Sequence, residues 1–180
     1  MKLFIASDVH GSAYYASLIK EKFEQEKADI LLLLGDIYNH GPRNPFPKDY
    51  APMKVAETLN SLADRLIVVK GNCDSEVDQM ISDFTFVNQA VVEVDGIKVF
   101  ATHGHIHNID AMPAFKGDVM VYGHFHQGFI TAKDGVVVAN PSSASLPKEG
   151  QPHGYLIVEN NVISLKELDT DNTLITEEIK

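Results

Sequence analysis

Short runs of aliphatic and β-branched residues, each four or five residues long, punctuate the chain from end to end: Leu3–Ala6, Ile30–Leu34, Leu66–Val69, Ala90–Val94, Ile97–Ala101, Val119–Tyr122, Val136–Ala139, Tyr155–Val158 and Val162–Leu165. Runs of this length, bounded by turn residues, read as β-strands, and those without polar alternation read as strands buried on both faces. Asp95-Gly96 and Asn160-Asn161 lie between neighbouring runs and tolerate positive φ, which marks two-residue hairpin turns. Between the first three runs the period changes: Ala16, Ile19 and Phe23, then Val55, Leu59 and Leu62, recur at helical spacing. Ser75 reads as the N-cap of a short third helix, and the proline-rich stretch from Pro42 to Pro52 reads as a loop. A first half that alternates strand and helix, followed by hairpins, predicts an α/β layer architecture of two packed mixed sheets flanked by helices. The 180 residues suit a single domain, 1–180.

Five of the runs are followed at once by a polar string: Asp8-Val9-His10, Gly35-Asp36, Gly71-Asn72-Cys73-Asp74, His103-Gly104-His105 and Gly123-His124-Phe125-His126. Open α/β sheets bind ligands past the carboxyl ends of their strands. Side chains two apart in extended chain project to one side, so Asp8 with His10, and His124 with His126, can converge on one point. Imidazoles, carboxylates and an amide without a thiolate cluster form a donor set for Mn, Fe, Co, Ni or Zn in a catalytic rather than a structural site. One such string alone reads equally well as a turn. Five in succession, each at a strand end, read as a metal centre.

Composition narrows the partners. Fifteen Lys and Arg against twenty-five Asp and Glu leave a formal net charge of −10, a field that repels nucleic-acid polymers. The longest aliphatic run, Ile30–Leu34, is too short to span a bilayer, which excludes a membrane helix. A lone cysteine, Cys73, and an apolar start interrupted at Asp8 point to a reducing cytoplasm. A homo-oligomer stays open, since no interface is readable in the pattern.

The order DxH, GD, GN, HG and GHxH resembles that of the calcineurin-like metallophosphoesterase superfamily, and the stretches ASDVHGS, LGDIYNHGPRN and GNCDSEVDQM resemble its small bacterial YfcE-type phosphodiesterases. The resemblance implies a four-layer αββα sandwich of two mixed β-sheets flanked by helices. It implies two divalent transition-metal ions, manganese first, with nickel, cobalt, iron or zinc as alternatives. Asp8, His10 and His126 match the positions that hold the first ion, Asp36 the carboxylate shared by both, and Asn72, His103 and His124 those that hold the second. The implied activity is hydrolysis of small phosphodiesters by in-line attack of a metal-bound hydroxide. A phosphomonoesterase or pyrophosphatase with the same centre, or a non-catalytic interaction scaffold like one eukaryotic relative of the fold, are the alternatives.

Two departures stand out. Cys73 occupies the place of a superfamily histidine that serves the transition state or leaving group, and Asn39 that of a second carboxylate in GDxxD. The general acid is thereby unassigned among His105, His40 and Asp74. His105 is expected beside the ligands, sharing catalysis with Asn72 and Asp36, and His107 in an ordinary loop. Arg43, His40 and Cys73 are expected substrate contacts, Arg43 because a guanidinium grips phosphate oxygens bidentately. Asn140-Pro141-Ser142-Ser143 reads as a turn.

Overall fold

The structure, a computed structural model, describes all residues, 1–180. The elements are β1 (Leu3–Ala6), α1 (Ala13–Gln25), β2 (Ile30–Leu33), α2 (Pro52–Asn60), β3 (Leu66–Val69), β4 (Phe86–Val87), β5 (Ala90–Val94), β6 (Ile97–Ala101), β7 (Val119–Val121), β8 (Gly128–Lys133), β9 (Val136–Pro141), β10 (Gly154–Glu159), β11 (Val162–Glu167) and β12 (Thr173–Glu178). They form a seven-stranded sheet in the order β12-β11-β10-β1-β2-β3-β4 and a five-stranded sheet in the order β5-β6-β7-β9-β8. Both sheets are mixed: β1, β2, β3 and β4 run parallel, as do β6, β7 and β9, with antiparallel partners outside them.

The unbroken apolar runs follow from burial on two sides. In β1, Phe4 and Ala6 face α1 and α2, whereas Leu3 and Ile5 face the second sheet; β2 divides likewise, with Leu31 and Leu33 outward and Leu32 inward. The second sheet meets them with Val99, Ala101, Val119, Val121, Val137 and Ala139. Truncating such a fully buried leucine to alanine costs about 2–5 kcal/mol. Ser12 caps α1 by accepting the Tyr15 N–H at 3.3 Å, and Ala16, Ile19 and Phe23 bury the helix on the first sheet. Ser75 does cap a helix, but a 3₁₀ one, Glu76–Ile81, through a capping box with Asp78. Asp95-Gly96 and Asn160-Asn161 all have positive φ, as their hairpins require.

The outer face of the second sheet differs from that of the first. Phe100, Met120, Tyr122 and Val138 are covered there by Ile109, Met112, Phe125 and Phe129, that is, by loop and edge-strand residues rather than a helix. The helices of the sandwich therefore lie on the first sheet.

Candidate metal centre

Because the parallel strands of each sheet share a direction, the ends of β1, β2, β3, β6 and β7 open onto one edge of the sandwich, and every polar string lies there. The chain turns sharply at that edge. Asp8, His10, Asp36, His124 and His126 all have φ between 51° and 61°, a left-handed conformation that costs a non-glycine residue roughly 1–2 kcal/mol. Hydrogen bonds between the first two loops enforce it: the Asp8 N–H donates to Gly35 O at 3.0 Å, His10 N–H to Asp36 O at 2.8 Å and Gly11 N–H to Ile37 O at 2.8 Å. Two glycines permit the approach. A Cβ on Gly71 would lie 2.1 Å from Asp36 Oδ1, and one on Gly123 would lie 2.5 Å from Asp8 Oδ2.

Asp74, a suggested acid, has another task. Its buried carboxylate accepts the N–H groups of Asp36 (2.8 Å), Ile37 (2.8 Å) and Gly71 (2.7 Å), clamping the β2 and β3 loops together. Burial pushes its pKa up to about 6 despite those donors. Asp36 is held in turn by the Cys73 N–H, 2.8 Å from its Oδ1, which leaves Oδ2 facing His10 Nε2 at 3.8 Å and His103 Nε2 at 3.5 Å. One carboxylate oxygen thus stands between two imidazoles that come from different sheets.

Three rings are oriented from behind by backbone carbonyls. His10 Nδ1 meets Asn39 O at 2.8 Å, His103 Nδ1 meets Leu34 O at 2.6 Å, and His126 Nδ1 meets Leu146 O at 2.5 Å. An Nδ1–H committed to a carbonyl leaves Nε2 as the free lone pair, the arrangement usual for histidine ligands. His10 Nε2 then faces His126 Nε2 at 3.3 Å, and Asp8 Oδ1 lies 3.6 and 3.2 Å from the two nitrogens with no hydrogen-bond donor in the fully buried setting. Donors bound about 2.1 Å from one ion are roughly 3 Å apart, so this trio fits a shared cation.

All seven expected ligands come together. Their atoms form three overlapping groups, Asp8-His10-His126, His10-Asp36-Cys73 and Asp36-His103-His124, each within 4.8 Å, and Asn72 Oδ1 joins through His103 Nε2 at 3.0 Å. The Asn72 amide is set by its neighbour, since Nδ2 donates to Cys73 Sγ at 3.3 Å and turns Oδ1 toward the imidazole. Burial, then the Asp36 charge, pushes the Cys73 thiol up to about 12, so it is a neutral acceptor.

The centre floors a cleft of about 870 Å³ lined also by Arg43 and Cys73. His40 is absent from that lining; it packs against Phe46 and Tyr50, ring centroids 4.5 and 5.3 Å away. His105 is exposed beside the cleft, its ring 5.3 Å from that of His103. Sequence reasoning missed the loop after β9. Ser143 Oγ and Ser145 Oγ donate to Asp8 O at 2.8 and 3.0 Å, Leu146 O holds His126, and Leu146, Pro147 and Lys148 line the cleft. Asn140-Pro141-Ser142-Ser143 is not the expected turn: Asn140 and Pro141 end β9, paired with Phe129 and Gly128, and the chain bends only at Ser142 (φ 72°), whose N–H donates to Asn140 Oδ1, while Asn140 Nδ2 donates to Gly123 O at 2.7 Å and braces the histidine loop.

Two packed mixed sheets with an imidazole and carboxylate centre past their strand ends define a class: the chain belongs to the calcineurin-like phosphoesterase superfamily, whose domain it matches over residues 1–161, and it is an enzyme of that class. Over 181 residues it is 43% identical to phosphodiesterase YfcE of Escherichia coli (strain K12), a match covering 98% of this chain and 97% of that one. The solved structure of E. coli YfcE, a phosphoesterase, superposes with a TM-score of 0.95 at 41% identity, with 100% of both chains covered. Wild-type Vps29 of Entamoeba histolytica, crystallised with zinc, shares the fold over 100% of both chains at 17% identity and a TM-score of 0.66. No helix is long and apolar enough to cross a membrane.

Proposed function

We propose that the chain hydrolyses small phosphodiesters at a centre of two divalent transition-metal ions, manganese first, in the cytoplasm. The observation that carries this reading is the convergence of the His10 and His126 Nε2 atoms on the unpartnered Asp8 Oδ1, and of the His10 and His103 Nε2 atoms on Asp36 Oδ2, at the floor of an open cleft. Asp8, His10 and His126 would hold one ion, Asn72, His103 and His124 the other, and Asp36 both. When bound, the ions supply Lewis acidity toward a phosphoryl oxygen and a water acidic enough to attack near neutral pH.

The chain's own residues supply the positioning. The carbonyls of Asn39, Leu34 and Leu146 fix the rings, the Cys73 N–H fixes Asp36, and the Cys73 thiol fixes the Asn72 amide. Arg43, which lines the cleft without an ion pair, would take a non-bridging phosphate oxygen, and Cys73 lines the same cleft. His105, outside the lining but next to His103, is the exposed imidazole closest in sequence to the centre that is free to exchange a proton with a leaving group. Burial lowers its pKa below the ordinary imidazole value.

The test is a paired assay of bis(p-nitrophenyl) phosphate and p-nitrophenyl phosphate with Mn, Ni, Co or Mg after chelation. The reading expects turnover of the diester, restored by manganese. Faster turnover of the monoester would favour a phosphomonoesterase, and no turnover with any metal would favour a scaffold.

A further inference from the structure

Two segments border the cleft, 39–45 and 146–148, and each is tied to a different metal-ligand candidate. The first is anchored where Asn39 O accepts from His10, the second where Leu146 O accepts from His126. Prolines 42, 45 and 147 stiffen both by fixing φ. Further bonds hold them in place: Gly41 N–H to Asn39 Oδ1 at 2.8 Å, Asn44 Nδ2 to His40 O at 2.8 Å, and Lys148 N–H to His126 O at 3.0 Å. These borders are built in register with the centre.

Each border carries one cation, Arg43 on the first and Lys148 on the second, and apart from Asp36 and the histidines no other charged side chain lines the cleft. Neither cation is neutralised. Arg43 has no ion pair, and Lys148 Nζ donates to the uncharged Gln127 Oε1 at 3.2 Å. Of the chain's fifteen Lys and Arg, five (Lys2, Lys22, Arg65, Lys70 and Lys166) pair with a carboxylate, and of the ten that do not, only Arg43 and Lys148 line this cleft. In a chain of net charge −10, two unpaired cations on two different loops that line the cleft holding the centre form a local positive field.

That field exceeds what a simple diester needs. On the reading above, four positive charges on two ions are set against the carboxylates of Asp8 and Asp36, which already outweighs the single charge of a phosphodiester. We propose that Arg43 and Lys148 form an anion clamp over the centre, and that the preferred substrates are small phosphodiesters carrying a second anionic group, such as another phosphate. This inference rests on the phosphodiesterase reading. Lys148 thereby becomes a specificity-determining residue alongside Arg43.

The experiment compares the p-nitrophenyl ester of thymidine 5′-phosphate with the same ester bearing a 3′-phosphate, on manganese-loaded protein, by kcat/KM and by calorimetric binding. The clamp predicts that the 3′-phosphorylated ester is preferred by about tenfold or more, that Arg43→Gln and Lys148→Gln each reduce the preference, and that the double variant removes it. Lys54→Gln, on the exposed side of α2, should leave the preference unchanged, and raising the ionic strength should shrink it. An equal response to the two esters in the wild type, or a preference that survives in the double variant, overturns the clamp. If neither ester is hydrolysed, the phosphodiesterase reading fails, and the ratio of the two dissociation constants still decides for or against the clamp.

Discussion

His10 Nε2 and His126 Nε2 face each other across 3.3 Å while the Nδ1 atom of each ring meets a backbone carbonyl. Two neutral rings so tied would oppose lone pair to lone pair, next to a buried carboxylate oxygen that has no donor. A cation between them turns repulsion into attraction. Saturating manganese should therefore raise the melting temperature of chelated protein. At a ligand concentration about 1,000 times Kd the linkage is worth about 4 kcal/mol, or roughly 8–16 °C for a chain of this size, readable by scanning calorimetry. An unchanged melting temperature would argue that the trio holds no ion.

Protons compete for the same lone pairs. Burial opposes the charged form of His103, but Asp36 and Asp8 outweigh it and push the pKa up to about 9, above its ordinary 6.5. The stabilisation from this imidazolium in metal-free protein is complete below about pH 6.5 and is lost as pH rises through about 9. Metal-free protein should lose melting temperature across that window while manganese affinity rises, which titration calorimetry at pH 6.5, 7.5 and 8.5 will show.

The three N–H groups on Asp74 predict the cost of an isosteric change. Asp74→Asn must present an NH₂ to at least one of the N–H donors of Asp36, Ile37 and Gly71. A buried donor facing a donor should destabilise the fold by about 2–4 kcal/mol and shift the Asp36 loop. Urea unfolding measures the first effect and manganese stoichiometry the second.

Cys73 and Asn72 should separate. Cys73→Ala keeps the backbone N–H on Asp36 and loses only the acceptor for the Asn72 amide, so most turnover should remain. Asn72→Ala removes a proposed ligand oxygen and should cost about 100-fold or more in turnover of bis(p-nitrophenyl) phosphate. Equal losses would show the thiol to be chemically required.

Much of this was readable in the one-dimensional pattern, because strands buried on both faces leave unbroken runs such as Leu31-Leu32-Leu33, and because strand ends must carry the polar strings. What escaped has physical reasons. β12 is exposed along its whole length and β8 is a half-exposed edge strand, so neither shows a burial pattern. The left-handed φ of Asp8 or His126 is imposed by hydrogen bonds from distant loops and has no local signature. Likewise the Ser143 contact with Asp8 joins residues 135 apart in the chain. His40 drew attention by its position in the loop after Asp36, yet neighbouring aromatic rings decide where it packs.

The most direct test of the account is the number of manganese ions bound by wild type and by Asp36→Asn, measured by equilibrium titration with turnover of bis(p-nitrophenyl) phosphate followed in parallel. The account predicts two ions per wild-type chain, and in Asp36→Asn at most one tightly bound ion, a loss of turnover of about 100-fold or more and an unchanged circular dichroism spectrum. Two ions retained with wild-type turnover in Asp36→Asn would contradict it.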